Sequence, residues 1–194
     1  MNVKEAIKNS IKILLFFTII TGIIYPAIIF GIGRMFFYHK ANGSLVKQNN
    51  RVIGSELLGQ KFIGRKYFWS RPSAIDYNPV PSGGSNLSLT SQVLVQQYKD
   101  TKAAFIKENL LKDTAAVPDE MLFASASGVD PDISSAAAYE QVKRISEARK
   151  FNSEQKQHLI NLIDFQTKNR QLGFLGEETV NVLDLNLKLD EMGK

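Results

Sequence analysis

A chain of 194 residues, 44% hydrophobic and 22% charged, is sized for one ordinary domain, and the absence of cysteine excludes disulfides, thiolate catalysis and Cys-ligated zinc. Of its formal charge of +5, residues 1–38 hold +3 (Lys4, Lys8, Lys12 and Arg34 against Glu5), which leaves +2 for the rest, with 20 basic and 18 acidic residues. No basic run or stripe appears there, so nucleic-acid binding is not expected.

The first element is apolar. Residues 13–33, ILLFFTIITGIIYPAIIFGIG, carry no charge and lie between Lys12 and Arg34. A helix of that length covers about 30 Å, the depth of a hydrocarbon core. The sequence therefore predicts a transmembrane helix over 13–36, after a short N-terminus at 1–12 and before one soluble mixed α/β (α+β) domain at 37–194. A secretory signal would end at a small-x-small cleavage site, and the following RMFFYHKANG offers none, so the segment is read as an uncleaved anchor. Pro26 removes a helical hydrogen bond and invites a kink. Gly22, Pro26, Ala27 and Gly31 thin the helix there, which suits packing against another helix, although such residues are common in membrane helices generally. Ion pathways usually place an ionisable residue within the span, and this one has none, so a lone helix of this kind transports nothing by itself. The lysines before the span outnumber the cations just after it, which puts the N-terminus in the cytoplasm and the domain outside.

Further along, Ala41–Ser44 reads as a turn and Arg51–Gly54 as a strand. Residues 63–89 gather three of the six prolines with several aromatics, and so predict irregular but ordered structure. A helix is expected over 90–112 behind Ser88 or Thr90, then a short buried strand in EMLFAS. Asp132 or Ser134 is expected to cap a helix over 133–150, with Arg144, Arg149 and Lys150 placed to favour its C-terminal dipole. A second helix follows Asn152 or Ser153, with Leu159, Leu162, Ile163 and Phe165 or Gln166 on its apolar side. The end, TVNVLDLNLKLDEM, alternates leucine with polar residues and reads as a half-buried strand, or a strand turning into a final helix.

Catalytic constellations are thin. His39 and His158 are the only histidines, and no Gly-x-Ser-x-Gly elbow or Asp-Lys-Thr-Gly motif occurs. Two loops, SGGSN at 82–86 and SASG at 125–128, could offer backbone amides to an anion, but neither has Walker or GxGxxG spacing, and spacing alone makes both turns. Gly128 permits a positive φ, and the small residues at 124–128 let two backbones, or a backbone and a ligand, approach closely.

The ordered stretches TGIIYPAIIFGIG, ANGSLV, GSELLGQKF, YFWSRPSA, YNPVPSGGSN, SASGVDPDIS, AAAYEQVKRISEAR and GFLGEETVNVLDLN resemble the C subunit of the Kdp-type potassium-transporting ATPase from residue 21 to 189. That resemblance implies a single-pass subunit of a bacterial inner-membrane complex with three partners: a channel-like potassium-binding subunit, a P-type ATPase catalytic subunit and a small single-helix subunit. It implies an accessory role in assembly and regulation, with no enzyme activity and no cofactor of its own. The alternative it implies is a catalytic chaperone that raises ATP affinity. In that reading Gln60, Arg71, Ser82, Gly83, Gly84, Ser85, Asn86, Ser125, Ser127 and Gly128 are the candidate nucleotide contacts. Asp132 stands where histidine is common in the family. The two halves conflict, because a domain outside the membrane cannot share ATP with a catalytic domain inside it.

Overall fold

The computed structural model describes residues 2–112 and 117–192 and divides the chain after Leu45 into two units. The first is the long apolar helix. It runs as α1 (Val3–Ile19), a π-helical turn (Ile20–Ile24) and α2 (Tyr25–Phe36), followed by one short turn of helix, α3 (Tyr38–Ala41). Asn2 caps it through Lys4 N–H at 3.3 Å. The widened turn immediately precedes Pro26, whose missing N–H breaks the regular ladder, and Tyr25 N–H reaches back to Ile20 O instead. The expected disturbance at Pro26 therefore takes the form of a π turn. None of the residues from Val3 to Phe36 is buried, and the segment is long and apolar enough to cross a membrane.

The second unit is a mixed α and β domain. β1 (Leu45–Gln48) and β2 (Arg51–Ser55) form a two-stranded sheet, joined by Asn49 and Asn50, both at positive φ as a tight hairpin turn requires. Residues 56–91 contain no helix or strand, as their proline content predicts. α4 (Gln92–Glu108) follows, with Ser91 at the N-cap where Ser88 or Thr90 was expected; those two hydroxyls bond each other at 2.9 Å. EMLFAS is buried at Met121 and Leu122, as expected, but it forms a single 3₁₀ turn (Asp119–Met121) in place of the expected strand.

β3 (Asp132–Ser134) pairs antiparallel with β4 (Thr179–Asn181), with Ile133 opposite Val180, and a helix continues directly from each strand. α5 (Ser135–Arg149) is capped by the Ser134 hydroxyl, which accepts Ala137 N–H at 3.1 Å. α6 (Ser153–Gln166) starts on a capping box made by Asn152 and Gln155. α7 (Val182–Met192) replaces the period-two strand, so the expected alternative, a strand turning into a helix, is the one observed. Asn181 Oδ1 accepts Asp184 N–H at 3.1 Å and starts it. Of its buried residues, Val182, Leu185, Asn186 and Leu189 recur at helical spacing, with Leu183 beside them, a pattern that the alternating leucines mask.

The core joins Ala137, Ala138, Val142 and Ile145 of α5 to Leu159 and Ile163 of α6 and to Leu185 and Leu189 of α7, with Phe68 and Phe105 closing it. Of Phe165 or Gln166, expected on the apolar side of α6, Phe165 is 85% exposed and Gln166 is the half-buried one.

Candidate functional site

The irregular segment 56–91 carries Gln60, Arg71 and the 82–86 loop, so the site begins with what holds that segment. Phe68 and Trp69 are gripped by side-chain amides that imitate a neighbouring strand. Asn186 Oδ1 accepts Phe68 N–H at 2.8 Å and its Nδ2 donates to Phe68 O at 3.0 Å. Gln141 does the same for Trp69, at 2.7 and 3.3 Å. Four backbone groups that would otherwise lack partners are thereby satisfied.

Arg144 is fully buried beside them, although the sequence placed it on the helix end for the dipole. Its guanidinium donates to Arg65 O at 2.7 Å, Tyr67 O at 2.9 Å, Asn109 Oδ1 at 2.8 Å and Gln141 Oε1 at 2.8 Å, and lies 3.8 Å over the Trp69 ring. Burial pulls its pKa down to about 9, Arg65 adds to the fall and Glu108 opposes it. Arg149 adds a second hold through Lys66 O at 2.8 Å and Asp190 at 2.6 Å. Sequence reasoning missed this clamp, and the available signal was Gln141, set among Ala138, Val142 and Ile145 on the apolar stripe of α5.

Held in this way, the segment brings the two Gly/Ser loops together. Gly83 N–H donates to Ser127 O at 3.1 Å, Ser125 N–H to Pro72 O at 3.0 Å, and Gly128 N–H to Ser125 O at 3.2 Å. Val129 N–H donates to the Ser127 hydroxyl at 3.2 Å. A Cβ on Gly128, at φ +70°, would fall 2.4 Å from Ile75 and 2.7 Å from Gly83 O. The small residues at 124–128 therefore allow two backbones to meet. Arg71 pairs with Asp130 at 2.8 Å, its Nε has no partner, and its carbonyl accepts the Tyr77 hydroxyl at 2.6 Å. Gln60 turns the other way, toward Ile53 O at 3.4 Å. Ser82, Ser85 and Asn86 are exposed.

Beside the joined loops lies a cavity of about 460 Å³ between Pro72, Ser85, Leu87, Val93, Gln97 and Phe123, with no ionisable residue in its lining. Of the ten candidate nucleotide contacts only Ser85 reaches it. Its chemistry is that of neutral hydrogen-bonding groups on an apolar wall. In the first unit, Gly22 lies in the π turn, Pro26 and Ala27 open α2 and Gly31 follows; a Cβ at Gly22 or Gly31 would meet nothing. Among the described residues no group of three or more His, Asp or Glu is placed to hold a metal ion.

The family model described as K+-transporting ATPase, c chain, matches residues 7–191, which takes in the apolar helix and the whole clamp. The chain belongs to the KdpC family. Relatives named Potassium-transporting ATPase KdpC subunit match over nearly their full length. One from Janthinobacterium sp. is 43% identical over 97% of this chain and 99% of its own. One from Mycobacterium tuberculosis is 42% identical over 94% and 96%, and one from Caldanaerobacter subterraneus subsp. tengcongensis is 39% identical over 96% and 95%. The KdpC match thus spans both units, as the eight ordered stretches implied.

Proposed function

We propose that this chain is the accessory subunit of a high-affinity, ATP-driven potassium uptake complex, needed to assemble and stabilise the ATPase and its channel-like subunit and to regulate them. The transported ion is the one in the names of its relatives. One observation carries the reading: the chain supplies a single long apolar helix with no ionisable residue between Lys12 and Arg34, an anchor without an ion path. The partners are the potassium-binding channel-like subunit, the P-type catalytic subunit and the small single-helix subunit. The helix crosses the bacterial inner membrane once, packing through Gly22, Pro26, Ala27 and Gly31, with the N-terminus cytoplasmic and the domain outside. The subunit is not itself an enzyme.

The alternative, a chaperone that raises ATP affinity, is the weaker reading on three grounds. The amides of Gly83, Ser125 and Gly128 are occupied by backbone bonds to Ser127 O, Pro72 O and Ser125 O. Arg71 is paired with Asp130. The adjoining cavity lacks a cation for phosphate.

One experiment addresses role and placement together. The chain is otherwise free of cysteine and Ser153 is exposed, so Ser153→Cys gives a single label site. Intact cells producing the full complex are treated with a membrane-impermeant thiol reagent, and the complex is purified through a tag on this chain. The expected result is a labelled chain that brings down the other ATPase chains, and loses them when residues 1–36 are removed. Undiminished recovery without the helix would overturn the assembly role, and labelling only after lysis would move the domain inside and bring the nucleotide reading forward.

A further inference from the structure

Between α6 and β4 the chain builds a hairpin. Lys168 and Thr179 exchange backbone bonds of 2.8 and 3.2 Å, Gln171 and Leu175 exchange a second pair at 2.8 and 2.9 Å, and Arg170 reaches Glu177 across the two arms at 3.3 Å. This well-bonded frame presents Leu172 at 83% exposure, Phe174 at 71% and Leu175 at 48%. Leu172 sits at φ +54°, a conformation normally left to glycine or asparagine because a Cβ is disfavoured there. Single exposed apolar residues are ordinary, but a leucine held in that conformation at the tip of a braced hairpin, beside an exposed phenylalanine, serves nothing within its own domain.

Charge and size decide what covers the tip. The arms carry Lys168 and Arg170 against Glu177 and Glu178, a balance of zero, whereas adsorption to anionic lipid needs an excess of cations. The three apolar side chains amount to on the order of 400 Å², well under the ~800 Å² that each partner of a free-standing complex buries. A freely diffusing second copy is therefore not held by this contact. A chain already kept nearby by a common membrane anchor is, because tethering raises its effective concentration.

We propose that Leu172-Gly173-Phe174-Leu175 is a wedge that enters an apolar, neutral-rimmed pocket on another chain of the same membrane-anchored assembly. This rests on the assembly role given above.

The test places the photoreactive residue benzoylphenylalanine at position 174 of the full chain, in membranes containing the whole ATPase. A control carries it at Lys156, an exposed position on α6. Irradiation is expected to give an adduct with another ATPase chain from position 174 and not from 156. Adding Leu172→Asp should cut its yield roughly tenfold, with the unfolding transition of the domain unchanged. Adducts only with lipid, only with a second copy, or none at all overturn the wedge. If the tagged chain still brings down the other ATPase chains in those cases, the wedge alone falls; if it brings down none, the assembly role falls with it.

Discussion

Replacing Arg144 by methionine tests whether the clamp holds the irregular segment. The substitution keeps length and removes every donor. Gly64 O retains Trp69 Nε1 at 3.0 Å and Gln141 Oε1 retains Trp69 N–H, so neither is orphaned. Arg65 is exposed, and water can replace the lost bond there. The loss falls on Tyr67 O, on Asn109 Oδ1 and on the stack over Trp69. One buried and one part-buried acceptor left open cost about 1–3 kcal/mol each, and a desolvated cation–π contact is worth about 2 kcal/mol. Removing a buried cation returns several kcal/mol of desolvation, so the net destabilisation is about 2–4 kcal/mol. For a protein of this size that lowers the unfolding midpoint by ~5–15 °C. Arg144→Lys keeps a charge but not the fork or the stack, and should fall between. Trp69 is the only tryptophan, so its emission reports on the clamp while circular dichroism follows the fold. An Arg144→Met midpoint within ~2 °C of the parent, with unchanged Trp69 emission, would refute the clamp.

Two further outcomes follow from the loops and from the half-buried phenol of Tyr77. Gly128→Ala should cost about 2–4 kcal/mol in urea unfolding, because its Cβ meets Ile75 at 2.4 Å in a positive-φ position, whereas Gly84→Ala, with Ala126 O at 3.3 Å, should stay within about 1 kcal/mol. Equal effects would mean that the loops do not pack as described. Burial first, and then Asp76, pushes the Tyr77 pKa up to about 12 from an ordinary value of 10.0. A raised folded-state pKa gives stability that is complete below pH 10 and lost as pH climbs toward 12. An alkaline titration followed by phenolate absorbance should therefore show a late-ionising step that Tyr77→Phe reduces by one tyrosine, leaving the share of Tyr139, which is also pushed up to about 12 by its bond to Asp164; a titration unchanged by that substitution would contradict the burial.

The helices over 135–149 and 153–166 were legible because cap and periodicity agreed: Ser134 and Asn152 stand where a side-chain oxygen is needed, ahead of apolar residues three and four apart, whereas the helix over 92–108 was legible from periodicity and its expected cap was misplaced. The final helix was obscured because Leu183, Leu185, Leu187 and Leu189 imitate a strand, while the deciding contact is a local cap from Asn181. Among the candidate contacts, the meeting of 82–86 with 125–128 was foreshadowed by glycine and serine, the residues that permit close approach. Gln60 could not be foreseen to face Ile53, nor Arg71 to pair with Asp130, because partners distant in sequence leave no local pattern. Arg144 was misread for a related reason: position near a helix end indicates a dipole role, and only tertiary packing shows that this arginine faces inward.

The side-chain grip on Phe68 and Trp69 also sets an order of events while the chain is made. Phe68 finds its partner 118 residues later in Asn186, and Trp69 waits 72 residues for Gln141. Contacts that span so much chain carry a large loop-closure cost and form late. Synthesis thus leaves the aromatic stretch without its full set of partners while 118 further residues are made, and α7, the last helix to emerge, completes the docking that brings the two Gly/Ser loops into register.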